Sequence, residues 1–276
     1  MSKSTKDIDL GERMFILAKG RPKSGKTVFS GSFPDPYFLD TDGRIAVLKK
    51  MFPDKDIPYD TYFEFAKLYK RVEELEKHCP YGTVILDGLT MTVKSMLSYL
   101  IDLRGAGGSS KTDKTQAQRF GVIKLPDIED WNGEAQGISQ LMDILRVLPC
   151  HVIVTAHIQI HSTTDIKTNV TKTTTHIVTG AKKTASILTG YFDEVYHFET
   201  EGGMGEQKYV FHTVGGGDMF AGTALPLRKS IDFTNMSAFD IIQQELKDKK
   251  IQLDKARHEA ARFVSLGQLA AKGGEK

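Results

Sequence analysis

Gly20-Arg21-Pro22-Lys23-Ser24-Gly25-Lys26-Thr27, followed by Val28, is the stretch on which the reading of this chain turns. It fits the spacing G-x-x-x-x-G-K-[ST], and the spacing has a physical reason. Glycines at both ends let the backbone curl until successive N–H groups point inward at an anion. A helix beginning at Lys26 turns its positive N-terminal end toward the same charge. Lys26 brings a point charge to the β/γ-phosphates of a nucleotide, and the Thr27 hydroxyl is placed to ligate Mg²⁺. Residues 20–28 are therefore the candidate phosphate cradle. The bland alternative is a glycine turn beside a surface lysine. Context weighs against it, because the apolar run Met14–Ala18 (MFILA) precedes the turn and a helix can follow.

Working outward, short apolar runs alternate with helical periods. Tyr37–Leu39, Thr83–Leu86 and Val152–Ala156 read as further buried strands. Tyr62, Phe65, Ala66, Tyr69 and Val72 recur at helical spacing, as do Val93, Met96, Leu97, Leu100 and Ile101, and then Ile138, Leu141, Met142, Leu145 and Leu148. Val195–Phe198 and Tyr209–Thr213 read as later strands, the second a candidate antiparallel one. Continuous apolar strands alternating with helices predict an α/β fold, a mostly parallel sheet with helices on both faces. Ligands of such sheets sit beyond the carboxyl ends of the strands, so the polar residues there share one edge.

Three candidate groups lie on that edge. Val84-Ile85-Leu86-Asp87 is an apolar strand ending in an acid, and Asp87 can hold the Mg²⁺ of a bound nucleotide together with Thr27. Leu39-Asp40-Thr41-Asp42-Gly43 places two acids after the second strand, where a carboxylate can orient an attacking water. An Asp-Gly turn explains the same residues without chemistry. His157 ends the fourth strand and can sense a γ-phosphate, or it is a solvent-facing histidine. His151, His157 and His161 do not have the spacing of a metal site.

Composition narrows the classes. The chain has 276 residues, with 37 Lys+Arg against 35 Asp+Glu. That balance excludes a histone-like polycation, and 40% hydrophobic residues exclude whole-chain disorder. Two cysteines, Cys79 and Cys150, are far apart in sequence and predict a reduced, cytoplasmic protein. The polar start MSKSTKDIDLGER has no apolar core of a secretion signal, and no run reaches the length of a membrane span. Two stretches break the strand–helix alternation and are expected to be long loops. Residues 103–124 carry Arg104, Lys111, Lys114, Arg119 and Lys124 against Asp113. Residues 157–183 carry Lys167, Lys172, Lys182 and Lys183 against Asp165. Basic excess beside hydroxyl-rich sequence suits phosphodiester contacts, though solvated loops have the same composition.

The order of these pieces resembles that of RecA-like ATPases. More narrowly, GRPKSGKT, FLDTDG, TVILDGLT, DWNGEAQ, CHVIVTAHIQ, VTGAKKTASILTGYFDEVYHF and GTALPLRKSIDF resemble the phage nucleotide-binding ATPases of the single-strand annealing type (the Sak-four group). The likeness spans about residues 14–234. It implies a RecA-like P-loop core over 1–235, with late antiparallel strands, and a helix with a charged tail over 236–276. It implies ATP and Mg²⁺ as cofactors. Asp42 stands where that family places a catalytic glutamate, and is one methylene shorter. His157 stands at the sensor position, and the two basic stretches (103–124, 157–183) correspond to DNA-binding loops. The family also implies single-stranded DNA as partner, a homo-oligomer in ring or filament form, and a single-strand-binding protein as a further partner. A neighbouring subunit's Arg228 or Lys229 is then the candidate cation at the γ-phosphate. The functions implied are ATP-dependent annealing or strand pairing in the cytoplasm of a host cell. A translocating helicase-type motor and a nucleotide-gated scaffold with little turnover remain alternatives.

Overall fold

β1 (Phe15–Gly20), β2 (Pro36–Asp40) and β4 (Thr83–Asp87) have every residue buried, because helices cover both faces of the sheet they form. The computed structural model describes residues 12–107, 126–164, 171–180, 182–203, 206–216 and 220–252. Between these strands lie α1 (Lys26–Gly31), α2 (Ala46–Met51), the short β3 (Tyr59–Thr61) and α3 (Phe65–Lys77). After β4 come α4 (Leu89–Gly107), α5 (Ile128–Val147), β5 (His151–Thr164), β6 (Thr171–Ile177) and α6 (Lys182–Leu188). β7 (Glu194–Glu201), β8 (Lys208–His212), β9 (Gly222–Thr223) and β10 (Ser230–Asp232) complete the described strands, and a last helix, α7, spans 238–252.

The strand order is β10-β8-β7-β1-β5-β4-β2-β3, with β6 on β5 and β9 on β7. The six strands from β7 to β3 are parallel, while β8, β9, β10 and β6 run antiparallel. This is the predicted α/β architecture with a mostly parallel sheet and late antiparallel strands. β5 lies between β1 and β4, with Gly20 opposite His157 and Asp87 opposite Thr155. Asp40 lies opposite Asp87. Register alone therefore brings the four candidate strand ends to one edge.

Alternating side chains feed two cores. Phe15, Leu17, Leu39, Leu86 and Val154 pack with Leu68 and Val72 of α3, Val93 of α4 and Leu141 of α5. Ile16, Ala18, Phe38, Ile85 and Ile153 pack with Phe29 of α1, Leu48 of α2, Phe211, Phe233, and Ile241 and Ile242 of α7. The fold thus runs on past residue 235, since α7 closes the second core. Residues 253–276, the remainder of the expected tail, lie outside the described residues. Among the described residues, no helix is long and apolar enough to cross a membrane.

The two expected loops fold further than their composition suggested. Residues 157–164 continue β5 and pair antiparallel with β6, from Ile158 opposite Ile177 to Thr164 opposite Thr171. Threonine is β-branched and favours strands, so a Thr-rich polar stretch can be an exposed ribbon. α4 extends through 103–107, and 108–125 lie outside the described residues. Asp127 and Asp130 form a capping box that starts α5.

One buried group on β1 makes a testable demand. Lys19 is only 2% exposed, and its ammonium lies 5.3 Å from the Phe220 ring centroid. Burial pushes its pKa down from 10.5 to about 8. Below pH 8 the folded chain holds a charge that water solvates better in the unfolded chain. Between pH 8 and 10.5 folding releases that proton, so stability rises with pH across this window. Lys19→Met is expected to be more stable than the parent to urea at pH 7. The difference should narrow as the pH passes from 8 toward 10.5, and a pH-independent difference would contradict the assignment.

Candidate functional site

The phosphate loop leaves β1 at Gly20 and enters α1 at Lys26. Gly25 takes φ 90°, a left-handed conformation. A Cβ there would stand 2.9 Å from both Phe233 Cζ and Tyr209 Cδ1, so the position needs glycine on both counts. Lys26 is buried, and its Nζ donates to Arg21 O at 2.8 Å, Gly20 O at 3.1 Å and Ser24 Oγ at 3.4 Å. The ammonium thus sits within the loop, against its carbonyls. Burial lowers its pKa to about 8, an effect that Asp87 and Asp42 partly offset.

Asp87 is 7% exposed and accepts two hydroxyl bonds, Thr27 Oγ1 at 3.0 Å and Thr155 Oγ1 at 2.6 Å. Gly88 N in turn donates to Thr155 Oγ1 at 3.1 Å. Burial raises the Asp87 pKa, and the two hydroxyls work against that rise. Thr27 and Asp87 are oxygen donors side by side, the donor type that a hard divalent cation takes. The residues fit Mg²⁺, and Thr27 and Asp87 are the two that would hold it.

Asp42 and His157 come together from different strands. Asp42 Oδ2 lies 3.4 Å from His157 Nε2. Asp42 Oδ1 and His157 Nδ1 are buried with no hydrogen-bond partner, which leaves one acceptor and one ring nitrogen unsatisfied at this edge. Asp40, the first acid, does a turn's work: its Oδ1 accepts from Gly43 N at 2.8 Å and Asp42 N at 3.2 Å. Gly88 has φ 116°, and a Cβ there would stand 2.4 Å from Asp42 Oδ1. The β4 end and the second acid are thus packed against each other.

Thr155, Thr41 and Gly88 were not singled out from the sequence as site residues. Thr41 Oγ1 donates to Gly88 O at 2.7 Å and joins the β2 and β4 ends. The available signal was a hydroxyl or glycine one step from each strand end, which is weak because such residues are common in turns. Other candidates are placed elsewhere. Arg104 Nη1 pairs with Asp130 at 2.9 Å and Asp127 at 3.6 Å, locking α4 to the start of α5. Lys111, Lys114, Arg119 and Lys167 lie outside the described residues, and Lys172 is on β6. Arg228 and Lys229 are exposed just before β10, with Arg228 ion-paired to Glu245 of α7. His151 Nδ1 accepts from Met14 N at 3.2 Å, at the far end of the sheet.

A phosphate loop at the end of β1, an acid at the end of β4 and a strand inserted between them define a P-loop ATPase domain. The chain belongs to the AAA domain family designated AAA_24, which it matches over residues 12–224. Among solved structures it is similar to a KaiC-like protein from the archaeon Pyrococcus horikoshii. That likeness has 10% identity and a TM-score of 0.36, covering 72% of this chain and 77% of that one. No curated protein is significantly similar in sequence.

Thr155→Val tests the Asp87 arrangement. The substitution keeps the shape but removes the hydroxyl that holds Asp87 and receives Gly88 N. Nucleotide turnover is expected to fall about 10- to 100-fold, as for groups that orient a metal ligand. Fluorescent-nucleotide binding should weaken less, since the loop itself is untouched. Unchanged turnover would show that Asp87 is held well enough without Thr155.

Proposed function

We propose that the protein is a Mg²⁺-dependent ATPase that binds single-stranded DNA as a homo-oligomer and supports phage recombination by annealing or strand pairing. The observation that carries this reading is the position of His157. It contacts Asp42 through its side chain, and its own strand β5 continues into a pairing with β6, the two strands being separated in sequence by residues 165–170, which include Lys167. A change at the phosphate edge therefore has a direct mechanical route to a Thr- and Lys-rich arm.

In the proposed reaction the loop N–H groups and Lys26 hold the β/γ-phosphates. Leaving the loop carbonyls for the phosphates lets the Lys26 ammonium neutralise charge where it develops. Asp42 orients the attacking water and takes its proton. His157 follows the state of that water and of the γ-phosphate through Asp42. Mg²⁺, held by Thr27 and Asp87, would neutralise phosphate charge when bound. Arg228 or Lys229 of a neighbouring subunit is the proposed trans cation, for which Arg228 must leave Glu245. A slow, nucleotide-gated scaffold is the second reading, favoured by the Asp42–His157 contact, which occupies one carboxylate oxygen.

Fluorescence anisotropy with labelled single strands, with and without ATP, tests the proposal. Binding is expected at low salt and should tighten with ATP. Lys167→Ala and Lys172→Ala should each reduce the salt slope by about 0.7. His157→Ala should bind DNA equally with and without ATP. No binding under either condition rejects the DNA reading, and binding without DNA-stimulated turnover selects the scaffold.

A further inference from the structure

The two cysteines that the sequence separates by 71 positions meet in the fold. Cys79 Sγ and Cys150 Sγ are 3.7 Å apart. Both are free thiols; Cys79 is half-buried and Cys150 is buried. Cys79 lies in the connection between α3 and β4, and Cys150 immediately precedes β5. β4 and β5 are hydrogen-bonded neighbours, with Thr83 opposite His151, so the thiols face each other across adjacent strand starts. This is the end of the sheet opposite Asp87 and Thr155.

We propose that Cys79 and Cys150 are a dithiol modification site that closes to an intramolecular disulfide when the protein meets a disulfide oxidant such as oxidised glutathione. The closure needed is small. The sulfurs must approach from 3.7 Å to about 2.05 Å. Cys79 is in an irregular connection, residues 78–82, tied at its ends by His78 N to Glu74 O at 3.0 Å and by His151 N to Gly82 O at 3.1 Å, with Cys79 itself between these ties. Cys150 is fixed by comparison, since its carbonyl accepts from Arg13 Nε at 3.3 Å and β5 begins at the next residue.

Exposure sets the order of events. The Cys79 thiolate, the accessible one, attacks a sulfur of oxidised glutathione. One glutathione thiolate leaves, and Cys79 carries the other half as a mixed disulfide. Cys150 then loses its proton and attacks the Cys79 sulfur, expelling the second glutathione thiolate. Two protein thiols are oxidised by two electrons, and one glutathione disulfide is reduced to two thiols. Burial and the Cys79 neighbour push the Cys150 thiol up to about 12, so it is the resolving partner and not the first attacker. The bridge would join two segments far apart in sequence, which restricts the unfolded chain more than the folded one.

Intact-mass measurement after equilibration in glutathione buffers of increasing oxidation, quenched with N-ethylmaleimide, tests the site without reference to nucleotide or DNA. The expected product is a monomer lighter by two hydrogens, with no maleimide adduct and a Cys79–Cys150 linked peptide. Its thermal midpoint should rise by several degrees over the reduced chain. Cys150→Ser should stop at a glutathione adduct on Cys79 and show no such rise. A stable glutathione adduct on the wild-type chain would overturn the proposal, as would disulfide-linked dimers. Two thiols still titrating in fully oxidised buffer, while the chain in guanidinium oxidises, would overturn it too. The wild-type mass decides the matter even where a serine variant folds poorly.

Discussion

Asp87 is held by hydroxyls from two different elements, Thr27 on α1 and Thr155 on β5, while its own backbone belongs to β4. The nucleotide edge keeps its shape only while all three stay in register. A buried carboxylate is costly unless partners offset the lost water. Two hydroxyls offset part of that loss, and the raised pKa of Asp87 reports the remainder. The buried Lys26 ammonium is the positive charge that the fold itself sets near this carboxylate. A divalent cation, if held by Thr27 and Asp87, would supply positive charge next to two oxygen ligands already side by side.

That unfavourable edge is tolerated because the phosphate loop is braced from behind. Phe29 of α1 sits in a ring of aromatics, with Phe33, Phe198, Phe211, Phe233 and Tyr196 at centroid distances of 5.0–6.1 Å. Several meet edge to face, the geometry in which aromatic quadrupoles attract. Tyr209 and Phe233 close over Gly25, so β8 and the end of β10 fix the loop's curl directly. The late antiparallel strands and α7 are therefore part of the nucleotide machinery's support. Deleting the chain from about 235 would uncover Phe29's cluster by removing Ala238, Ile241, Ile242 and Leu246.

What the sequence made legible follows from which interactions are local. The loop 20–27 is set by its own glycines and by the helix that follows, and the buried strands by uninterrupted apolar runs. Those interactions are encoded where they act. Asp42 and His157 read as two strand ends on one edge, but their contact was not legible, because it depends on β5 being inserted between β1 and β4. Arg104 looked like part of a basic stretch and proved to be the partner of Asp127 and Asp130, which lie beyond a segment of unrelated composition. The hairpin was missed for a chemical reason. Polar Thr-rich sequence reads as loop when burial is the signal sought, yet a ribbon with one exposed side needs backbone pairing more than burial. The Cys79–Cys150 approach is a strand-register effect, and register between β4 and β5 is not written in either cysteine's neighbours.

β5 unites these features physically. Up to Thr155 it is clamped on both sides, by β1 and β4; Ala156 and His157 pair with β1 alone, and from Ile158 onward the strand pairs with β6. His157 is the point of exchange: its carbonyl accepts from Val178 N at 2.8 Å, just past β6, while its ring faces Asp42. Thr90 Oγ1 on α4 holds both sides of that junction, receiving from His157 N at 3.4 Å and donating to Val178 O at 3.3 Å. A paired ribbon bends at its base more readily than along its ladder, since bending the ladder breaks hydrogen bonds. A displacement of the His157 ring of even a fraction of an ångström must be absorbed by the Thr90 bridge or passed to the arm. The weak, long bonds at Thr90 make it the compliant element of that junction.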